Sequence, residues 1–269
     1  MGLSGPMLSL LAYGLVSLST FGLLWRERAI WRSQTGLLLA LALVGGWANT
    51  SFVSALMLGD VVRVMFLFYL APVWSVLGGW LFLGEQVRPR RIAAVLLALT
   101  GLWFVIGGVR ALQSPLSLAD WLALSAGLAF AGNNLIARAA QAIPLRSKTV
   151  AVFLGCTVLA LAAVVWQGAA VPALAAPALL AVVGYGFVWL LLATATWQYG
   201  VTHLESGRAG IIMVAELLVA VLSATWLGNE QLSPSEWLGG GLIALAALVE
   251  ATDAGESGAL RVAVAKDSA

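Results

Sequence analysis

The sequence predicts an all-α integral membrane protein, a helical bundle of nine transmembrane helices. Three observations lead there. Only 10% of the 269 residues are charged and 61% are hydrophobic, where soluble domains carry roughly 25% charge. Uncharged apolar runs follow one another almost without pause, each near the roughly 20 residues that a hydrocarbon layer of about 30 Å requires of a helix. The basic residues between them fall on alternate connections.

Taken in order, the first span, Gly5–Trp25, follows the uncharged MGLSGPM and ends at Arg26, Arg28 and Arg32. It lacks the basic leader and the A-x-A site of a cleaved signal peptide. The second span, Gly36–Leu58, and the third, Val61–Leu83, are separated by two residues, with Arg63 just inside the third. Arg88, Arg90 and Arg91 precede the fourth, Ile92–Gly108, and Arg110 stands alone after it. The fifth, Leu118–Ala137, ends at Arg138, and Arg146 and Lys148 flank the start of the sixth, Ser147–Trp166. The uncharged stretch Thr149–Thr202 must hold two helices. Its middle, QGAAVPALAAP at Gln167–Pro177, carries two prolines among small residues and reads as a turn, so the seventh span is Ala178–Thr202. Arg208 precedes the eighth, Ala209–Leu227, and Glu230 and Glu236 frame the entry to the ninth, Pro234–Val249. Barrel strands would alternate apolar and polar residues, whereas these runs are apolar on every side. Helices satisfy their own backbone hydrogen bonds in lipid.

Of the 14 basic residues, 12 lie on one set of alternate connections and the tail, against Arg63 and Arg110 on the other. The positive-inside rule places the first set in the cytoplasm, in a multi-pass protein of the cell (inner or plasma) membrane. With nine spans the C-terminus is cytoplasmic and the N-terminus outside. The same clustering explains the net charge of +2 without nucleic acid. Cys156 and His203, each the only one of its kind, make no disulfide framework and no metal-ligand cluster. No phosphate loop, nucleophile elbow or H-E-x-x-H motif occurs, so no cofactor is expected and the chain reads as no enzyme.

The chain repeats internally. APVWSVLGGWLFLGEQVRP (Ala71–Pro89) aligns with AELLVAVLSATWLGNEQLSP (Ala215–Pro234) with one insertion at Asn229, matching the Leu-Gly pairs, Glu85–Gln86 with Glu230–Gln231, and Pro89 with Pro234. One copy runs inward and the other outward, which is an inverted-topology repeat. Residues 1–110 form the first repeat with four helices and 118–250 the second with five, followed by a short polar tail, 251–269. By symmetry the first half lacks its opening helix.

The stretch YLAPVWSVLGGWLFLGEQ (Tyr69–Gln86), with a proline inside the helix and a Leu-Gly-Glu end, resembles the drug/metabolite transporter superfamily in its ten-helix, EamA-like branch. AELLVAVLSATWLGNEQLSP is similar to a variant of the same segment with Glu in place of Pro. The resemblance implies a ten-helix inverted-repeat transporter fold minus its first helix. Two accounts of that helix stand side by side: a start codon placed too late or a shortened chain, and a true nine-helix protein. Amino acids, other metabolites or toxic compounds are the substrates the resemblance implies, with proton exchange or facilitated diffusion both open as energy source.

Glu216 is the leading site candidate. It lies eight residues beyond Arg208 and twelve before Gly228, near the bilayer midplane at about 1.5 Å per residue. A charge there costs at least about 2.5 kcal/mol, so it must face the bundle interior, be paired, or be protonated. It is read as a substrate-binding or proton-coupling carboxylate, against a neutral acid that packs helices. Pro72, its repeat counterpart, removes a backbone donor and kinks its helix, as a hinge or cavity-shaping residue. Asn133 and Asn134 point about 100° apart, so at most one readily faces a cavity, and interhelical hydrogen bonding is their simpler role. Asn49 and Ser51 in the second span, with the mid-depth aromatics Trp47, Tyr69 and Trp189, complete the cavity-lining candidates. Snorkelling to the interface accounts for Arg63 and Arg208, with a gate salt bridge as the second reading.

These features predict a secondary-active or facilitative transporter that exports a small organic metabolite by alternating access. A lipid or lipid-linked sugar translocase and a non-transporting membrane scaffold are the alternatives. The partners are the bilayer, a small-molecule substrate and, for a coupled mechanism, protons; the oligomeric state is not legible.

Overall fold

The structure is a computed structural model that describes residues 5–105, 115–168, 176–205, 208–209, 211–216, 219 and 233–249, without the side chain of Val62. Residues 169–175 of the turn predicted at Gln167–Pro177, most of the eighth span with the second Glu-Gln pair, Arg110, and the tail after Val249 lie outside the described residues.

All regular elements among the described residues are helical. They are α1 (Gly5–Arg26), a short α2 (Arg28–Trp31) with a 3-10 turn, α3 (Thr35–Leu58), α4 (Val61–Phe68), α5 (Ala71–Leu83), α6 (Pro89–Val105), α7 (Leu118–Ala139), α8 (Leu145–Trp166), α9 (Ala176–Gly184), a π-helical turn (Tyr185–Leu190) and α10 (Leu191–His203). Residues 211–216 are helical, and α11 (Pro234–Val249) closes the described chain. Gly5–Arg26, Arg28–Leu58, Arg63–Leu83, Leu145–Trp166 and Ala176–His203 are long and apolar enough to cross a membrane, and α11 is a shorter apolar helix. The molecule is an integral membrane helical bundle.

The third predicted span is broken, and Pro72 explains where. α4 ends at Phe68, Tyr69 and Leu70 form a turn, and α5 restarts with Pro72 in its first turn. Proline has no N–H to give the carbonyl four residues earlier, so Phe68 O receives no in-helix bond from position 72. Gly127 of α7 packs there: a Cβ on it would lie 2.7 Å from Phe68 O. At its other end α5 stops at Gly84, whose φ of +64° is the left-handed conformation that glycine adopts without strain. The Leu-Gly-Glu end of the repeat motif is thus a helix C-cap, with the N–H groups of Gly84 and Glu85 closing on Gly79 O.

α7 is the central helix. It packs against α3, α4, α5 and α10, and its buried face is built from Ala119, Asp120, Ala123, Ala126, Gly127, Ala131, Asn133, Asn134 and Ala137. Small residues let backbones approach closely, which is how helices associate in lipid. α3 and α8 cross by the same device, since a Cβ on Gly46 would lie 2.5 Å from the Gly155 carbonyl carbon and one on Gly155 would overlap Ala42 O. α6 meets α11, the segment 211–216 and the start of α5 in a cluster of Tyr69, Ala71, Ala98, Leu102, Met213, Val214, Ile243 and Ala246.

Candidate functional site

At the middle of the bundle the break between α4 and α5 sets Tyr69 against the segment 211–216. Tyr69 is buried in the cluster that also holds Met213 and Val214. Glu216 lies within electrostatic reach of it and is itself exposed. A row of rings leads away from this point: Tyr69 to Phe68 at 5.8 Å between centroids, Phe68 to Phe130 at 5.4 Å, and Phe130 to Trp197 at 5.2 Å. Offset and edge contacts at such distances are the favoured aromatic geometries. Trp197 Nε1 then donates to Asn134 Oδ1 at 3.1 Å. Tyr69 and Glu216 are therefore neighbours at the break before Pro72, and the row of rings connects Tyr69 to Asn134. Phe68, Phe130 and Trp197, which sequence reasoning had not singled out, join them.

The other candidates lie elsewhere. Asn49 accepts from Tyr13 Oη at 3.2 Å and donates to Gly45 O at 2.8 Å, at the seam of α1 and α3. Ser51 is buried and returns its hydroxyl to Trp47 O within α3. Asn133 is buried facing α3, where a Cβ on Gly45 would lie 2.7 Å from its Oδ1. Trp47 lines a lateral groove of about 710 Å³ between α3, α5 and α7, together with Trp74, Leu77, Gly78, Ser125 and Leu135. Its Nε1 donates to Ser125 Oγ at 3.3 Å. Trp189 sits on the π-helical turn with 68% of its surface exposed.

Charged groups close both ends. At one end Arg63 is 8% exposed, with Nε 2.9 Å from Asp120 Oδ1 and Nη2 donating to Pro115 O. Asp120 also completes a capping box with Ser117 at the start of α7. Arg63 is therefore paired inside the protein, where snorkelling had been the expected account. The Ser-x-x-Asp spacing in SLAD was the available signal for Asp120. At the other, basic end Glu205 pairs with Arg91 and lies 3.9 Å from Arg208. Arg138 Nη1 and Gln141 Nε2 both donate to Thr202 O. Lys148, read from sequence only as a flanking charge, is wholly buried beneath them.

A bundle of long apolar helices, with one span broken at Tyr69–Leu70 beside a carboxylate and an ion pair near each end, defines a multi-pass membrane protein. The EamA-like transporter family model matches residues 3–107 and again residues 117–251, and the chain belongs to that family. It is 29% identical over 180 residues to the uncharacterized transporter YwfM of Bacillus subtilis (strain 168), a stretch covering 66% of this chain and 60% of that relative. A crystal structure of another protein, 19% identical, superposes with a TM-score of 0.74 over 93% of this chain and 88% of its own, which shows the shared fold.

Proposed function

We propose that this transporter exports small organic metabolites, such as amino acids or toxic compounds, by alternating access of its two inverted halves in the inner or plasma membrane, with its C-terminus in the cytoplasm. The observation that carries this reading is Glu216: an exposed carboxylate in the eighth span, in electrostatic reach of Tyr69 where the third span breaks. Against lipid such a charge costs at least about 2.5 kcal/mol, which favours exposure to a substrate path over exposure to lipid. There it takes a substrate ammonium group, a proton, or each in turn, and the neighbouring rings supply apolar and cation–π contacts. Midplane sites at interrupted helices of inverted repeats are where such transporters bind.

Glu216→Gln keeps the shape and removes the charge. Uptake of an amino-acid panel into proteoliposomes, measured from pH 5.5 to 8, is expected to fall at least about tenfold and to lose its pH dependence. Full transport with an unchanged pH profile would sink the coupling role. The lateral groove between α3, α5 and α7 favours a second reading, a lipid or lipid-linked sugar translocase. Its apolar lining opens to the side of the bundle. Flipping of a fluorescent phospholipid in the same vesicles separates the two.

A further inference from the structure

At the basic end of the bundle Lys148 has, among the described residues, no carboxylate within salt-bridge reach. Lys148 Nζ donates to Ala137 O at 2.8 Å and to Thr202 Oγ1 at 3.1 Å. Both lie in the last turns of their helices, α7 and α10, where carbonyl groups carry partial negative charge. An ammonium has three N–H donors, and neither partner is ionised. Of the described acids, Glu205 is paired with Arg91 and Arg208, and Glu27 accepts from the Ser147 hydroxyl.

One turn deeper on the same two helices stand Asn133, four residues before Ala137, and Gln198, four before Thr202. They are 5% and 1% exposed, and among the described residues Asn133 Oδ1 and Gln198 Oε1 have no hydrogen-bond partner. Buried amides are nearly always satisfied by protein or water, so such atoms require an explanation. Above the ammonium, Arg138 and Gln141 hold Thr202 O, and Gln141 is exposed at the surface. Lys148 thus lies one layer beneath the surface, under two long side chains that can lift away.

We propose that this seam between α7, α8 and α10 is a carboxylate site of the transport pathway. Lys148 supplies the charge, and the amide of Gln198 turns its N–H groups to the ligand, since rotation about the last torsion exchanges amide O and N. The site opens when Arg138 and Gln141 leave Thr202. The proposal rests on the transporter reading and deepens it: Lys148 receives the carboxylate of a substrate near the basic end of the bundle, at a point of the pathway separate from Glu216. A lysine that only caps the ends of α7 and α10 would show no preference among ligands.

The test uses the purified full chain and its apparent melting temperature with leucine, phenylalanine and propionate, each against its own amide. At least one acid is expected to raise the melting temperature by about 2 °C or more over its amide. Lys148→Gln should erase that difference, and Arg146→Gln, which removes an exposed charge of the same end outside the seam, should preserve it. Gln198→Glu, which gives Lys148 a counter-charge in place, should erase it too and covers the case in which Lys148→Gln does not fold. The proposal is overturned if no acid is distinguished from its amide, or if either seam variant keeps the distinction. Failure here leaves the Glu216 transport result standing on its own.

Discussion

Asp120→Asn isolates the buried ion pair at the far end of the bundle. The side chains of Arg63 and Asp120 are 9% and 3% exposed, with Nε and Oδ1 2.9 Å apart. Removing one partner of a buried pair leaves an uncompensated charge and costs about 3–5 kcal/mol. Asparagine keeps an oxygen for the Ser117 cap, so the loss comes from the charge. For a chain of this size about 1 kcal/mol corresponds to roughly 2–4 °C in melting temperature, which predicts a fall of roughly 6–20 °C. Size-exclusion chromatography of heated, detergent-solubilised protein measures it. The double variant Arg63→Met/Asp120→Leu removes both charges and should recover most of the loss, because well-packed apolar replacements of buried pairs are often neutral or better. An Asp120→Asn protein that melts within about 1 °C of the parent would show that the pair contributes little, and would remove the far-end tie from the account.

Two further substitutions probe packing. Gly155→Ala forces a Cβ onto the Ala42 carbonyl oxygen at the α3–α8 crossing, an overpacking expected to cost about 3 kcal/mol or more, read as loss of monodisperse protein on gel filtration. Trp197→Phe keeps the ring against Phe130 but removes the bond to Asn134. A buried amide oxygen left without its donor predicts a loss of about 1–3 kcal/mol, seen in the same melting assay.

How much of this was legible in the sequence depends on how local the physics is. The spans were legible because length and apolarity alone decide them: Gly5–Trp25 and Ser147–Trp166 fall within one or two residues of α1 and α8. The break at Pro72 was legible because a missing N–H is a local fact, although the break sits at Tyr69–Leu70, just before the proline. Partners across helices were not. Arg63 and Asp120 stand far apart in the chain, and only the packing of α4 on α7 joins them. Lys148 looked like an interface charge by its place next to Arg146, and nothing in its neighbours announced that Thr202 would come to cover it. Trp47 and Trp189 shared a depth with Tyr69 but face other sides of their helices, because depth is set by position along a span and facing by the neighbours it acquires.

α7 has a mechanical consequence. Its 22 residues make a rod about 33 Å long, tied near its start through Asp120 to α4 and near its finish through Arg138 to α10. Near mid-length Gly127 bears on Phe68, at the carbonyl that Pro72 cannot serve. A stiff beam resting on a central fulcrum tilts as a see-saw, so swinging one tip away from its tie presses the other tip home. In the alternating access proposed above, such a beam would keep the two mouths of the bundle from gaping together.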